Sequence, residues 1–99
     1  MIRVVAVLTA KPGSREALIE HFRANVPNVL AEAGCLEYQG VVDAPGPLAK
    51  YGPDVFVVIE TWESPEALKA HSVAPHMVAY GQKTKDLLVD RAIHVLAPI

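Results

Sequence analysis

Two histidines, His71 and His76, stand five residues apart, and Glu60 and Trp62 precede them on an otherwise apolar stretch. An imidazole can take or give a proton near neutral pH, which few side chains can. The spacing of five is not the i, i+4 interval of a helical metal pair, and no neighbouring acid completes such a motif, so the sequence predicts no metal site. His71 is read either as a proton carrier or as a ring that bonds a free carbonyl at a helix end before Pro75. His76 is read as a second proton carrier or as an ordinary early-helix residue. Glu60, a carboxylate among apolar neighbours, must be paired or hold its proton unusually well. It is expected to orient a histidine or to meet Arg3, Arg91 or a residue of a second subunit. Trp62 offers a flat surface for stacking an aromatic ligand, or simply fills the core.

Tyr38, Phe56 and Tyr80 suit the walls of a pocket and equally a core. Tyr51 lies in a proline- and glycine-rich segment and is a candidate lid. Cys35 is the one cysteine; it cannot form an internal disulfide and reads as a small buried hydrophobe. His21 and His94 read as surface or edge residues, and Asn25 as a partner for backbone freed near Pro27.

The elements that carry these residues follow from period and punctuation. Ile2 to Thr9 alternates as a strand with apolar residues on both faces. Ser14 is placed to cap a helix whose stripe is Leu18, Phe22, Val26, Val29 and Ala33, with a kink or break expected at Asn25 to Pro27 and Gly34 as its left-handed terminus. A second strand is expected from Cys35 to Val42. Asp43 to Asp54 is a loop of twelve residues with three prolines, long enough to cover something. A third strand runs from Val55 to Trp62, with Phe56, Val58, Glu60 and Trp62 on one face. Ser64-Pro65-Glu66 opens a helix with a cap, a proline at the first position and an acid. Pro75 interrupts it, a further helix runs from about His76 to Leu88, and a last strand from Asp90 to Leu96.

This order is β-α-β-β-α-β, the ferredoxin-like plan of the α+β class. One domain over residues 1–99 is expected, with a four-stranded antiparallel sheet, strands one and three central, and both crossovers on one side. The strands are apolar front and back, yet the helices can cover only one face. Each large aliphatic side chain left in water forfeits about 1.5–3 kcal/mol of burial, against a total domain stability of about 5–15 kcal/mol. A second copy of the same sheet is the expected cover, which makes the chain a homodimer through its sheet faces. Apolar residues form 52% of the chain and charged residues 20%, which excludes disorder. No apolar run approaches the roughly 20 residues of a membrane span. A net charge of −2 without a basic cluster excludes nucleic acid. A start that reads as strand and turn, and a single thiol, lead to the expectation of a cytoplasmic protein without membrane association.

The chain also resembles the antibiotic biosynthesis monooxygenase (ABM) domain family. The resemblance is carried by Lys11-Pro12-Gly13, by Gly34-Cys35-Leu36-Glu37-Tyr38 and by Val58-Ile59-Glu60-Thr61-Trp62-Glu63-Ser64. It continues through Ala67-Leu68-Lys69-Ala70-His71 and Pro75-His76-Met77. It implies a dimeric α/β barrel, some of whose members oxygenate hydroxylated aromatics with O2 and without flavin, heme or metal. The loop from Ala44 to Asp54 departs from that pattern by its length. Heme-degrading relatives use an Asn on the first strand; Ile2 to Thr9 contains none, which argues against heme degradation.

The resulting expectation is a cofactor-independent monooxygenase acting with O2 on a quinol-like aromatic. His71, His76 and Glu60 would handle protons; Trp62, Phe56, Tyr38, Tyr80 and Tyr51 would contact the substrate. Such a reaction begins by deprotonating a phenol, so that the electron-rich anion can pass an electron to O2. Two alternatives use the same scaffold: a binding module without turnover, and an isomerase or cyclase that needs only proton transfer.

Overall fold

A computed structural model describes residues Met1–Ile99. Strand β1 (Ile2–Ala10) leads to helix α1 (Arg15–Leu30), then to strands β2 (Cys35–Val41) and β3 (Val55–Trp62). Two helices follow, α2 (Pro65–Ser72) and α3 (Pro75–Thr84), then a single 3-10 turn (Lys85–Leu87) and strand β4 (Leu88–Leu96). All pairings are antiparallel and the sheet order is β2-β3-β1-β4, so the ferredoxin-like plan holds, with the second crossover split into two helices at Pro75.

The register explains the core. Val4 faces Glu60, Ala6 faces Val58 and Leu8 faces Phe56 across β1 and β3. These side chains leave the sheet on the side where α1 lays Leu18, Ile19 and Phe22, and Ala6, Leu8, Phe56 and Val58 join those three in the larger core cluster. A smaller one gathers Val4, Val29 and Trp62, with Ala67 of α2 and Met77 of α3 packed against it. Burying each of these large side chains stabilises the fold by about 1.5–3 kcal/mol. Gly40 of β2 is required by this packing, because a Cβ there would lie 2.7 Å from the Phe22 ring.

The opposite face carries Val5, Val7, Val57, Ile59 and Thr61 on the central strands, with Gln39 and Val41 of β2 and Ala92 and His94 of β4 in register beside them. None of these residues belongs to either helix-covered cluster.

Four local expectations need correction. Helix α1 runs unbroken through Pro27; a proline this near the end removes only one of the last intrahelical bonds. Ser14 sits at the N-cap, yet its hydroxyl caps nothing; its carbonyl accepts from Leu18 N–H at 3.1 Å. Ser64 does cap, accepting from Ala67 N–H at 3.1 Å. Gly34 is left-handed (φ 83°) but lies in the turn beyond α1 and not at its end. The last helix stops at Thr84 and β4 begins at Leu88, because Leu88 pairs with Ala10 across an irregularity that lengthens the strand.

The loop between β2 and β3 is closed by one carboxylate. Asp43 accepts from the N–H groups of Tyr51 (3.0 Å) and Gly52 (2.9 Å). Those two bonds hold its carboxyl below the usual carboxylate range. Lys50 Nζ donates to the Ala44 carbonyl within the loop.

Candidate active site

The helix-covered face of the sheet is not completely filled. Between β1, β3 and β4 on one side and α2 and α3 on the other lies a cavity of about 670 Å³, inside the range of small-molecule sites. Val4, Ala6, Leu8 and Val58 form its floor, and Leu68, Met77 and Tyr80 part of its helical wall. It opens toward β4, which the helices leave uncovered; there Ile93 is 51% exposed, and Lys85, Asp90 and Arg91 supply charge at the rim.

Two titratable side chains buried in the protein line this cavity, His71 from α2 and Glu60 from β3, each 6% exposed. The strand alternation that puts Val58 on the helix-covered face puts Glu60 there as well. Its Oε1 accepts from the indole Nε1–H of Trp62 at 2.9 Å. Burial raises the Glu60 carboxyl above its ordinary range, and the Trp62 hydrogen bond and the nearby His71 offset this only in part. Neither Arg3 nor Arg91 forms an ion pair with it.

His71 does not bond a helix-end carbonyl. Its Nδ1 meets Glu32 Oε2 at 2.7 Å, and its ring tilts over Trp62 with centroids 4.6 Å apart. Tyr38 approaches it edge-on at 5.7 Å. Tyr38 and Tyr80 both line the cavity, and burial pushes both phenols up, Tyr80 to about 12, so both are O–H groups at neutral pH.

The remaining candidates lie elsewhere. Trp62 is fully buried beneath His71 and does not border the cavity, so it has no free face for a ligand. Phe56 is 1% exposed and packs in T-shaped geometry on Phe22. Tyr51 is 60% exposed and neither it nor any other residue of its loop lines the cavity. His76 borders a separate cleft with His21, Asn25 and Asn28. Its Nε2 lies 3.1 Å from Glu32 Oε2, but off the direction of a hydrogen bond. Asn25, expected to serve the backbone near Pro27, donates to Met77 Sδ at 3.3 Å. No trio of His, Cys, Asp or Glu side chains is arranged to hold a metal ion, and no helix is long and apolar enough to cross a membrane.

Glu32 escapes sequence reasoning. It lies 39 residues from His71, and one acid in a turn carries no local signal. The fold supplies the link, because α2 packs against the turn that holds it: a Cβ at Gly34 would meet Ala67 Cβ at 2.6 Å.

A model of a known family, described as "Antibiotic biosynthesis monooxygenase", matches residues 1–83. The chain belongs to the antibiotic biosynthesis monooxygenase family. It is 37% identical over 102 residues to the "Probable quinol monooxygenase YgiN" of Escherichia coli (strain K12), with 99% of this chain and 98% of that protein covered. Among solved structures it is similar to PA3566 from Pseudomonas aeruginosa, with a TM-score of 0.84 and 32% identity over 99% of this chain and 93% of that one. It is also similar to Rv0793 from Mycobacterium tuberculosis, with a TM-score of 0.83 and 30% identity over 99% and 94%. The family membership, the ferredoxin-like fold and the resemblance read from the sequence therefore agree, and the family and the YgiN protein both carry monooxygenase in their names.

Proposed function

We propose that this protein is a cofactor-independent monooxygenase of quinol-like aromatics, with its active site in the cavity between the sheet and helices α2 and α3. The observation that carries this reading is that His71 and Glu60 share one largely apolar cavity. His71 would take the proton of a substrate hydroxyl through Nε2, the ring nitrogen not committed to Glu32. The quinolate would pass one electron to O2, and the semiquinone and superoxide would combine at a ring carbon. Loss of water from that hydroperoxide leaves a hydroxyquinone: a hydroquinone and O2 give a hydroxyquinone and one water, so atoms and electrons balance. Glu60, which burial favours in its protonated form, would supply a proton to the departing oxygen. Phe22 and Met77 would flank the ring, and the hydroxyls of Tyr38 and Tyr80 would orient it. His76, Trp62, Phe56 and Tyr51 have no direct part in this scheme.

The same reading includes a dimer formed by the two uncovered sheet faces and a cytoplasmic location. The dimer is supported by the half-buried Val5, Val7, Val41 and Ile59 side chains, which stand together on a sheet face that no helix covers. Aerobic incubation with a hydroquinone panel tests the activity. O2 uptake above the enzyme-free rate is expected, with a product one oxygen heavier and two hydrogens lighter that carries label from 18O2. A product of unchanged mass, formed without O2, would assign an isomerase instead; thermal stabilisation by quinols without turnover would assign a binding module.

A further inference from the structure

Glu32 is held before it meets anything. Its N–H donates to the Val29 carbonyl at 3.0 Å, and its own carbonyl accepts from Cys35 N–H at 3.2 Å. Its side chain is 15% exposed. Gly34, two residues on, lets Ala67 of α2 approach the turn closely. Ala67 and His71 are four residues apart on one helix and therefore share a face. The contact that seats Ala67 on Gly34 thus delivers the imidazole to the Glu32 carboxylate, where Nδ1 meets Oε2 at 2.7 Å. Glu32 borders neither this cavity nor the His76 cleft, whereas His71 lines the cavity.

We propose that Glu32 is the positioning residue of His71, an inference that rests on the reading of His71 as the base. A neutral imidazole carries one N–H and one lone pair. An ionised carboxylate only accepts, so the nitrogen facing it is the one that carries hydrogen. Nδ1–H is therefore fixed against Glu32, and the lone pair is on Nε2. When Nε2 takes a proton, the positive ring is already beside a negative oxygen. The other groups facing the ring are Tyr38 from β2, Trp62 and Glu60 from β3, and His76 from α3. None of them is hydrogen-bonded to it, so Glu32 alone selects the tautomer.

Two variants of the full chain, Glu32→Ala and Glu32→Gln, test this with two readouts. The first is 15N NMR of histidine-labelled protein at neutral pH, which requires no turnover. The wild-type His71 should show a protonated Nδ1 and a bare Nε2. The alanine variant should lose that preference, and the glutamine variant, whose amide oxygen still accepts, should keep it. The second is the pH profile of kcat/KM with a hydroquinone. Glu32→Ala should fall about a hundredfold, at the low end of what an acid–base group contributes, mainly in kcat. Glu32→Gln should recover part of the rate with its acid limb moved to lower pH. An unchanged His71 tautomer in a folded Glu32→Ala protein overturns the proposal, as does a Glu32→Gln profile that superimposes on the wild type. Should Glu32→Ala fail to fold, the Glu32→Gln profile decides. If the wild type oxidises no quinol, the activity reading fails, and the NMR result still decides the positioning role.

Discussion

Glu60 and Trp62 point to the same side of β3, and the indole of the second donates to the carboxylate of the first at 2.9 Å. The bond is internal to one strand, so it forms as soon as the strand does. Burial still dominates, and the Glu60 carboxyl is raised. A carboxyl whose folded pKa lies above its unfolded value favours the folded state below the unfolded pKa; that contribution is lost as pH rises through the folded one. Glu60→Gln keeps an acceptor for Trp62 and removes the charge. Thermal melts should show a gain of about 1 kcal/mol at pH 8, worth about 4–8 °C for a domain of this size, and little or none at pH 4. The same variant should lose quinol oxidation. Equal melting temperatures at pH 8 would contradict the role of burial.

Two left-handed glycines separate backbone strain from packing. Gly13 (φ 79°) has nothing within 4 Å of a built Cβ, whereas Gly34 (φ 83°) has Ala67 Cβ at 2.6 Å. Gly13→Ala should cost about 1 kcal/mol of strain. Gly34→Ala should add a further 1–3 kcal/mol or so of overpacking and push α2 from its seat. Denaturant titrations should rank them in that order.

The two helix-start serines make a paired comparison. Ser64→Ala removes a hydroxyl that accepts from Ala67 N–H and should cost about 0.5–2 kcal/mol. Ser14→Ala removes one that caps nothing, and its denaturation midpoint should coincide with the wild type.

The uncovered sheet face should bring two chains together. Sedimentation of the wild type should give twice the 10.7 kDa chain mass. Ile59→Lys places an ammonium in the middle of that face and should shift the protein to single chains at micromolar concentration. A wild type that sediments as one chain removes the dimer.

Much of this architecture is legible in the residues. Strand β3 is bounded by an aspartate-ended loop and a serine–proline helix start, and the alternation between them is uninterrupted, so both ends agree with the structure. Helix α2 declares its own beginning through Ser64 and Pro65. What fails is judgement about single polar or rigid residues. Ser14 and Pro27 have strong local preferences, and the packing of α1 on the sheet overrides both. Trp62 and His76 have the right chemistry, but only tertiary placement shows that one lies beneath His71 and that the other borders a separate cleft. Glu32 itself is invisible until α2 is docked, because its partners come from distant parts of the chain.

The Asp43 clamp has a practical corollary. Because that carboxylate gathers the backbone at Tyr51 and Gly52, the span from Ala44 to Lys50 is a bight of chain drawn shut at its neck, bordering neither the cavity under α2 and α3 nor the cleft of His76. Epitope tags, fluorophores or surface-immobilisation handles can be spliced into it, and evolution can lengthen or rewrite it, without the sheet having to renegotiate its register.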